Sequence, residues 1–310
     1  DGEKWVQLPD SPKLDIVGGP PVRLRADTPT IVQAREDFSV SVHFLDASGH
    51  PATGSDPGLT ISSGDSKNNL PIDTSQELNT ICLNTPGVHR ITVVGDGLET
   101  KSNPILVKDE NPELNLYWGD IHGHSDRSDG LRSPDDYFHY ARDVAQLDFS
   151  VLSDHEPDFG RKRPEVLYDG TTLDEIWTES CRKANEYHNP GQFVTFNGYE
   201  WTSGKYGHKC VYYLEDNQPF FSCRNPLTDT PEKLYESLNG RQAMVITHHP
   251  AGGPAPANLS LIDPNWEPLV EIYSCHGCSD APGVGRKLWR SVEGKGFSVQ
   301  EALDKGYPFG

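Results

Sequence analysis

The stretch Trp118-Gly119-Asp120-Ile121-His122-Gly123-His124-Ser125 places two histidines, one residue apart, directly after a short apolar run. In an extended segment, alternate side chains point to the same side, so His122 and His124 are expected to share a face. Neutral imidazole is a common ligand of zinc and of other transition metals. Two histidines spaced in this way can also be ordinary surface or core residues, but here they indicate the start of a metal site.

The sequence on either side of this stretch alternates short apolar runs with helix signals. We predict strands at 116–118, 147–152, 193–196, 211–214, 244–247 and 269–273. We predict helices at 133–146, 172–188 and 230–238; the first begins at Ser133-Pro134-Asp135-Asp136, which combines an N-cap residue, an early proline and acids against the helix dipole. Alternating strands and helices predict an α/β fold with a mostly parallel sheet, open or closed into a barrel.

Residues 1–113 have a different composition, rich in Pro, Gly, Ser, Thr and Asp. Apolar and polar residues alternate with a period of two at 38–44 and at 88–94, and turn signals lie at 46–49 and 85–87. This pattern predicts an immunoglobulin-like β-sandwich whose last strand and linker occupy 104–112. The predicted domains are therefore residues 1–113 and residues 114–310.

Five successive strand-like runs of the second region end in metal-binding residue types. These residues are His122 and His124, then Asp154 and His155, then Glu200, then His248 and His249, and finally His276. The carboxyl ends of strands form one rim in α/β architectures, so these side chains are expected to converge on one centre. A carboxylate such as Glu200 can bridge two ions, and clustered ions lower the pKa of a water.

Composition limits the function classes. The formal net charge of −19 argues against a sequence-independent grip on nucleic acid, and no apolar run is long enough to span a membrane. The chain has six cysteines; Cys210 and Cys223 flank a segment that could form a hairpin and could pair. The Cys275-His276-Gly277-Cys278 motif is compatible with a zinc half-site, a redox pair or two buried thiols. We expect an oxidising compartment and a processed N-terminus at Asp1.

Three motifs in order resemble the opening of the polymerase and histidinol phosphatase (PHP) superfamily of metal-dependent phosphoesterases. They are His122-Gly123-His124-Ser125, Ser128-Asp129-Gly130 and Ser153-Asp154-His155, and Glu200 and His249-Pro250 continue the order. The phrases at 117–122 and 198–202 look more narrowly like an uncharacterised secreted branch that carries a β-sandwich ahead of the PHP domain. The resemblance covers about residues 90–310.

The resemblance implies a distorted (β/α)7 barrel with two or three divalent ions, usually zinc, manganese or iron. Its implied metal ligands are His122, His124, Asp129, His155, Glu200, His249 and His276. Its implied catalytic residues are Glu200, His155 and Asp154, and we expect His208, Lys209 and His248 to bind substrate, with contact to metal as the alternative for His208. Lys205, Arg161 and Arg163 are further candidates for holding a phosphate. The resemblance also implies a small-molecule phosphorylated substrate and a periplasmic or extracellular location.

One departure from the family pattern leaves three hypotheses open. The family closes its site with an Asp-x-His after a last strand, and the sequence given ends at 305–310, where that strand is expected. The first hypothesis is a metal-dependent phosphoesterase. The second is hydrolysis of C–O or C–N bonds at a metal centre like that of amidohydrolases. The third is a non-catalytic surface or assembly protein that keeps a relic site.

Overall fold

The structure is a computed structural model of the 310-residue chain. It describes residues 17–53, 59–63, 70–72, 79–156, 173–253, 255–288 and 297–307. Arg161 and Arg163 therefore lie outside the described residues. The chain divides into two compact units, one ending at Tyr117 and the other beginning at Trp118. Together they give a mixed α/β protein with many small sheets and few helices in its described parts.

The described part of the first unit contains strands only. They are β1 (Arg23–Asp27), β2 (Ile31–Gln33), β3 (Asp37–Leu45), β4 (Leu59–Ser63), β5 (Leu70–Ile72), β6 (Asn79–Cys82), β7 (Gly87–His89), β8 (Ile91–Gly95), β9 (Leu98–Lys101) and β10 (Ile105–Lys108). The strands form three sheets, ordered β1-β3-β6, β2-β10-β7 and β5-β4-β8-β9. Alternate apolar residues of several strands point inward, so that Val40, Ile91 and Ile105 are fully buried in one core, while Val88 and Leu106 are exposed.

The strand predicted at 88–94 is two strands in the structure. β7 pairs with β10, whereas β8 pairs with β4 and β9, so the chain passes from one sheet to another at Arg90. β8 follows the period-two pattern with alternate residues buried, whereas Val88 of β7 is exposed. The strand predicted at 38–44 is confirmed by β3.

The second unit combines strands with helices. Its strands are β11 (Gly119–Gly123), β12 (Phe149–Leu152), β13 (Val194–Thr195), β14 (Asn197–Ser203), β15 (Gly207–Tyr213), β16 (Ala243–Thr247), β17 (Leu269–Val270), β18 (Tyr273–Ser274) and β19 (Gly277–Cys278). Its α-helices are α1 (Pro134–His139), α2 (Leu173–Tyr187), α3 (Pro231–Leu238) and α4 (Val299–Asp304).

The sheets of this unit are only partly parallel. β11, β12 and β13 pair in parallel, as do β16 and β17. β14, β15 and β16 are antiparallel neighbours, which contradicts the predicted mostly parallel sheet. For β14 and β15 the physical reason is the connection of residues 204–206, which is long enough for a hairpin and too short for a crossover helix.

The first predicted strand and helix shift in position. The first strand is Gly119–Gly123 rather than 116–118, so His122 lies inside the strand. Ser133 caps α1 as predicted, with its side chain accepting from the backbone of Asp136. The α-helix ends at His139, and a π-helical turn continues to Val144, short of the predicted end at 146. No helix in the described part of the chain is long and apolar enough to cross a membrane.

The two faces of the β14–β15–β16 sheet carry different chemistry. On one face, Tyr199, Trp201 and Val211 pack with α3 in an aromatic core. Because side chains alternate along a strand, Glu200 on β14 and His208 on β15 point to the opposite face. The sheet therefore separates an apolar core from a polar site.

Candidate metal centre

Glu200 lies at the centre of the polar face and is fully buried. Its Oε2 is 3.1 Å from Nε2 of His122, 3.4 Å from Nε2 of His124 and 3.2 Å from Nδ1 of His155. Its Oε1 is 2.6 Å from Nδ1 of His208. We call these five residues the Glu200 cluster. A buried carboxylate surrounded by four imidazoles brings together ligand types suited to zinc, manganese and iron.

The spacing of the atoms in the Glu200 cluster fits a divalent cation. Two ligands of a tetrahedral zinc ion, each about 2.0–2.1 Å from the metal, are about 3.3 Å apart. The three contacts of Oε2 have this spacing. Oε1 of Glu200 is buried, and Nδ1 of His208 is its close neighbour at 2.6 Å. A buried carboxylate is costly unless it is paired, and a bound cation would supply a further partner.

Further potential ligands surround the Glu200 cluster. Asp129 lies 3.8 Å from both His124 and His155. Nε2 of His249 is 3.3 Å from Nδ1 of His208. Within the described residues, five overlapping groups could each hold an ion: His248/His249/His276, His122/His248/Glu271, His122/His124/Glu200, His124/Asp129/His155 and His155/Glu200/His208. The seven residues predicted as ligands are thus brought together.

Burial keeps most of these histidines neutral, which is the form of imidazole that binds a metal. Burial lowers the pKa of His155 and of His248 to about 4, and that of His249 to about 2, so all three are neutral at pH 7. Burial also acts on His122, but Cys210, Glu200 and Glu271 outweigh it and hold its pKa well above the ordinary value. Without a cation, His122 therefore carries the proton that offsets the nearby carboxylates.

The same histidines keep Glu200 charged. Burial would raise the pKa of Glu200, but His155 and His122 hold it well below the ordinary value. The carboxylate form is the one that binds a cation. The polar face therefore presents neutral imidazoles and an ionised carboxylate together.

Asp154 does not have the catalytic position expected of it. Its carboxylate is buried and accepts hydrogen bonds from the backbone and hydroxyl of Ser125, at 2.7 and 2.6 Å, and from the hydroxyl of Ser128 at 2.5 Å. It belongs to none of the groups that could hold an ion among the described residues. Ser128 lies 3.4 Å from Nδ1 of His124, so Asp154 acts on the site by ordering the loop beside His124.

The structure contradicts the prediction that Lys209 binds substrate. Lys209 follows His208 on β15, so its side chain points to the opposite face of the sheet. Its ammonium group is buried and lies 2.6 Å from a carboxylate oxygen of Glu267 and 2.8 Å from the hydroxyl of Thr247. This ion pair lies on the core side and gives Lys209 a structural role.

Two expectations about individual side chains can be compared with the structure. His208, expected to contact substrate or metal, lies beside Glu200 and is a potential metal ligand. Cys210 and Cys223 are both thiols, which contradicts the suggested disulfide. Sγ of Cys210 lies 3.3 Å from Nδ1 of His122, whereas the thiol of Cys223 donates to the carbonyl of Thr202.

Glu271 is a member of the site that the sequence reading missed. It follows β17, and both of its carboxylate oxygens lie within 2.8 Å of Nδ1 of His248. The sequence does carry a signal, because Glu271 is an acid directly after the apolar residues 269–270. The sequence predicts one longer strand at 269–273 with Glu271 in its interior, whereas the structure has β17 before it and β18 after it.

Comparison with known proteins gives a partial family match. A family model described as "Protein of unknown function (DUF3604)" matches residues 146–253. That segment contains His155, Glu200, His208, His248 and His249.

The curated relatives are uncharacterised proteins of Chlamydia. One from Chlamydia trachomatis is 24% identical over 325 residues, a match covering 100% of this chain and 48% of the relative. One from Chlamydia pneumoniae is 24% identical over 329 residues, covering 100% of this chain and 50% of the relative. The chain thus spans about half the length of the curated relatives it matches.

Two solved structures show limited similarity. A two-domain protein from Bacteroides vulgatus, described as containing a predicted PHP-like metal-dependent phosphoesterase, is 19% identical with a TM-score of 0.39; the match covers 61% of this chain and 49% of that one. A carbohydrate acetylesterase from Xanthomonas citri is 13% identical with a TM-score of 0.18, covering 32% and 19%.

Gly253 offers a direct test of how His249 is held. His249 has a φ of 33°, and its Nδ1 donates to the carbonyl of Gly252. Gly253 has a φ of 74°, and a Cβ atom there would lie 2.7 Å from the His249 ring. We expect Gly253→Ala to displace the imidazole and to lower metal affinity at least about tenfold, as seen when a ligand histidine loses its orienting partner. Isothermal titration with zinc measures this.

Gly240→Ala is the matched control for this variant. Gly240 has a φ of 79° with no atom within 4 Å of an added Cβ, so this substitution introduces similar backbone strain without touching a histidine. Both variants are expected to lose about 1 kcal/mol of stability. Equal zinc affinities for the two variants would show that the Gly253 contact does not position His249.

Proposed function

We propose that the second unit is a metal-dependent hydrolase, and that its reaction is the hydrolysis of phosphate esters. The observation that carries the proposal is the Glu200 cluster, in which a buried carboxylate lies within 3.4 Å of four imidazole rings. A structural core has no need of so many titratable groups, because each one costs desolvation. Their convergence supports a metal site.

The proposed ligands are His122, His124, Asp129, His155, Glu200, His208, His249 and His276, and they would hold two or three divalent ions of zinc, manganese or iron. Bound there, the ions would supply Lewis-acid activation of a water and of a phosphoryl oxygen. The residues of the chain hold the site ready: burial keeps His155, His248 and His249 unprotonated, and Glu200 remains ionised.

The proposals on fold, substrate and location rest on the order of the motifs. His122-Gly123-His124-Ser125, Ser153-Asp154-His155, Glu200 and His249-Pro250 follow each other as in the PHP superfamily. We therefore include in the proposal a distorted (β/α)7 barrel preceded by an immunoglobulin-like sandwich, a small phosphorylated substrate, and a periplasmic or extracellular location. Residues of these motifs lie together at one polar face, which supports a common site, whereas the antiparallel β14–β15–β16 sheet departs from a regular barrel.

The test compares the wild type with a His122→Ala/His124→Ala variant. We expect the wild type to contain divalent metal and to hydrolyse an aryl phosphate. We expect the variant to lose metal affinity by more than about 100-fold, beyond the range known for residues that only orient a ligand, and to lose activity with it. Elemental analysis and product release measure the two effects.

His139→Ala provides the control, since His139 is exposed on α1 and pairs only with Asp143 among the described residues. It should match the wild type in both assays. A panel of acetyl esters, lactones and amides tests the bond that is cleaved. Activity on one of these classes and none on phosphate esters would contradict the phosphoesterase proposal, and equal activity in the double variant would contradict metal-dependent catalysis at this site.

A further inference from the structure

Glu271 touches three of the histidines at the polar face. Its Oε1 and Oε2 lie 2.7 and 2.8 Å from Nδ1 of His248. Its Oε1 also accepts from the backbone N–H of His249 at 3.1 Å, and its Oε2 is 3.4 Å from Nδ1 of His122. The backbone of Glu271 is itself fixed, because its N–H donates to the carbonyl of Thr247 at the end of β16.

The short contact with His248 is a hydrogen bond rather than a gap for a shared ion. Two ligands of one tetrahedral ion lie about 3.3 Å apart, whereas both oxygens of Glu271 are within 2.8 Å of the same nitrogen. A carboxylate accepts and cannot donate, so Nδ1 of His248 carries the proton. The other ring nitrogen, Nε2, is then left with a lone pair.

In the two neighbouring rings, Nδ1 likewise faces a hydrogen-bond acceptor. His122 directs Nδ1 to Glu271 and Nε2 to Oε2 of Glu200, at 3.1 Å. His249 directs Nδ1 to the carbonyl of Gly252, while Nε2 lies 3.3 Å from Nδ1 of His208. Nδ1 of His122 also lies 3.3 Å from Sγ of Cys210, so in both rings Nδ1 is engaged and Nε2 is the nitrogen that faces the polar site. A hydrogen-bond acceptor on the far nitrogen is how ligand histidines are commonly oriented.

We propose that Glu271 is a positioning residue that accepts from Nδ1 of His122 and of His248 and anchors the backbone of His249, so that Nε2 of His122 and Nε2 of His249 face the proposed ions and His248 keeps its Nδ1–H tautomer. The inference rests on the proposed metal site and extends it with a residue that does not itself bind metal. Glu271 accounts for the left-handed φ of 33° at His249, which the hydrogen bond to its backbone N–H holds in place.

The first readout needs no metal. Two-bond ¹⁵N–¹H correlation spectra of protein labelled at histidine report which ring nitrogen carries the proton. We expect His248 of the metal-free wild type to be the Nδ1–H tautomer. In Glu271→Ala, His248 should become a mixture with substantial Nε2–H. An unchanged His248 tautomer in Glu271→Ala would overturn the inference.

The second readout is zinc affinity, measured by competition with a chelating dye. Glu271→Gln keeps the size of the side chain and one acceptor oxygen, but its amide N–H₂ replaces an oxygen that faces His248 or His122. We expect zinc affinity to fall about 10–100-fold in both Glu271→Gln and Glu271→Ala. Glu215→Gln, which removes an exposed carboxylate from the loop after β15, should bind zinc as the wild type does.

The outcomes separate the two proposals. Wild-type affinity in both Glu271 variants would overturn the positioning role and leave the metal site standing. Absence of zinc binding in the wild type would overturn the metal site and, with it, the role of Glu271 in serving that site. Circular dichroism of each variant confirms that affinities are compared between folded proteins.

Discussion

Replacing Glu200 with glutamine should remove most of the bound metal and at least about 1,000-fold of the hydrolytic activity. The amide keeps the shape of the side chain but loses the charge that faces His122, His124 and His155 at 3.1–3.4 Å. An amide also places an N–H₂ group where one carboxylate oxygen stood, so one position becomes a donor and cannot bind a cation. The activity estimate corresponds to about 4 kcal/mol of lost transition-state stabilisation. Elemental analysis and initial rates on an aryl phosphate measure it.

Glu156→Gln is the matched control for this experiment. Glu156 is also a buried carboxylate, but it accepts hydrogen bonds from Ser222 and from the backbone of Cys223 and belongs to none of the groups that could hold an ion among the described residues. Its replacement should cost about 1–3 kcal/mol of stability and leave the metal content intact. Glu200→Gln with the metal content of the wild type would refute the central position of Glu200.

Replacing Lys209 with methionine should lower the stability of the chain by about 3–5 kcal/mol without changing the KM for substrate in the folded protein. Both Lys209 and Glu267 are almost completely buried, and Glu267 also accepts hydrogen bonds from Tyr235 and Thr247. Removal of the ammonium leaves an uncompensated carboxylate in the core, which is costly. Chemical denaturation measures the stability change.

Two further variants sharpen this test. Lys205→Met alters an exposed lysine that stacks on Tyr206, and it should change stability by less than about 1 kcal/mol. The double variant Lys209→Met/Glu267→Leu removes both charges and should recover much of the lost stability. A raised KM in Lys209→Met with unchanged stability would instead support the substrate-binding role predicted from the sequence.

The sequence indicated which residues would lie near one another because acids and histidines recur within or just after apolar runs. His155 and His249 follow strands in the structure, whereas Glu200 lies inside β14 and reaches the same face through the alternation of side chains. The resemblance to the PHP superfamily gave the order of the proposed ligands. The helix starts at Ser133 and Thr230 were equally readable, since capping depends on residues adjacent in sequence.

The errors have physical causes that a single sequence partly conceals. Lys209 was assigned to the site by its proximity to His208, although alternation along a strand places adjacent side chains on opposite faces. The antiparallel pairing of β14 and β15 depends on the short connection of residues 204–206. The alternation of strands and helices in the rest of the region predicted a parallel sheet instead. The hydrogen bonds of Glu271 reach residues about 22 positions or more away in sequence, and no local pattern records them.

The measurement that tests the central claim most directly is the number of divalent ions bound per chain after loading with zinc, manganese or iron and removal of excess metal. The Glu200 cluster and the histidines around it predict about two or three ions per chain, bound tightly enough to survive desalting. The same preparation of Glu200→Gln should retain less than about one. A wild-type chain that keeps no ion of any of the three metals would contradict a metal centre at this face of the sheet.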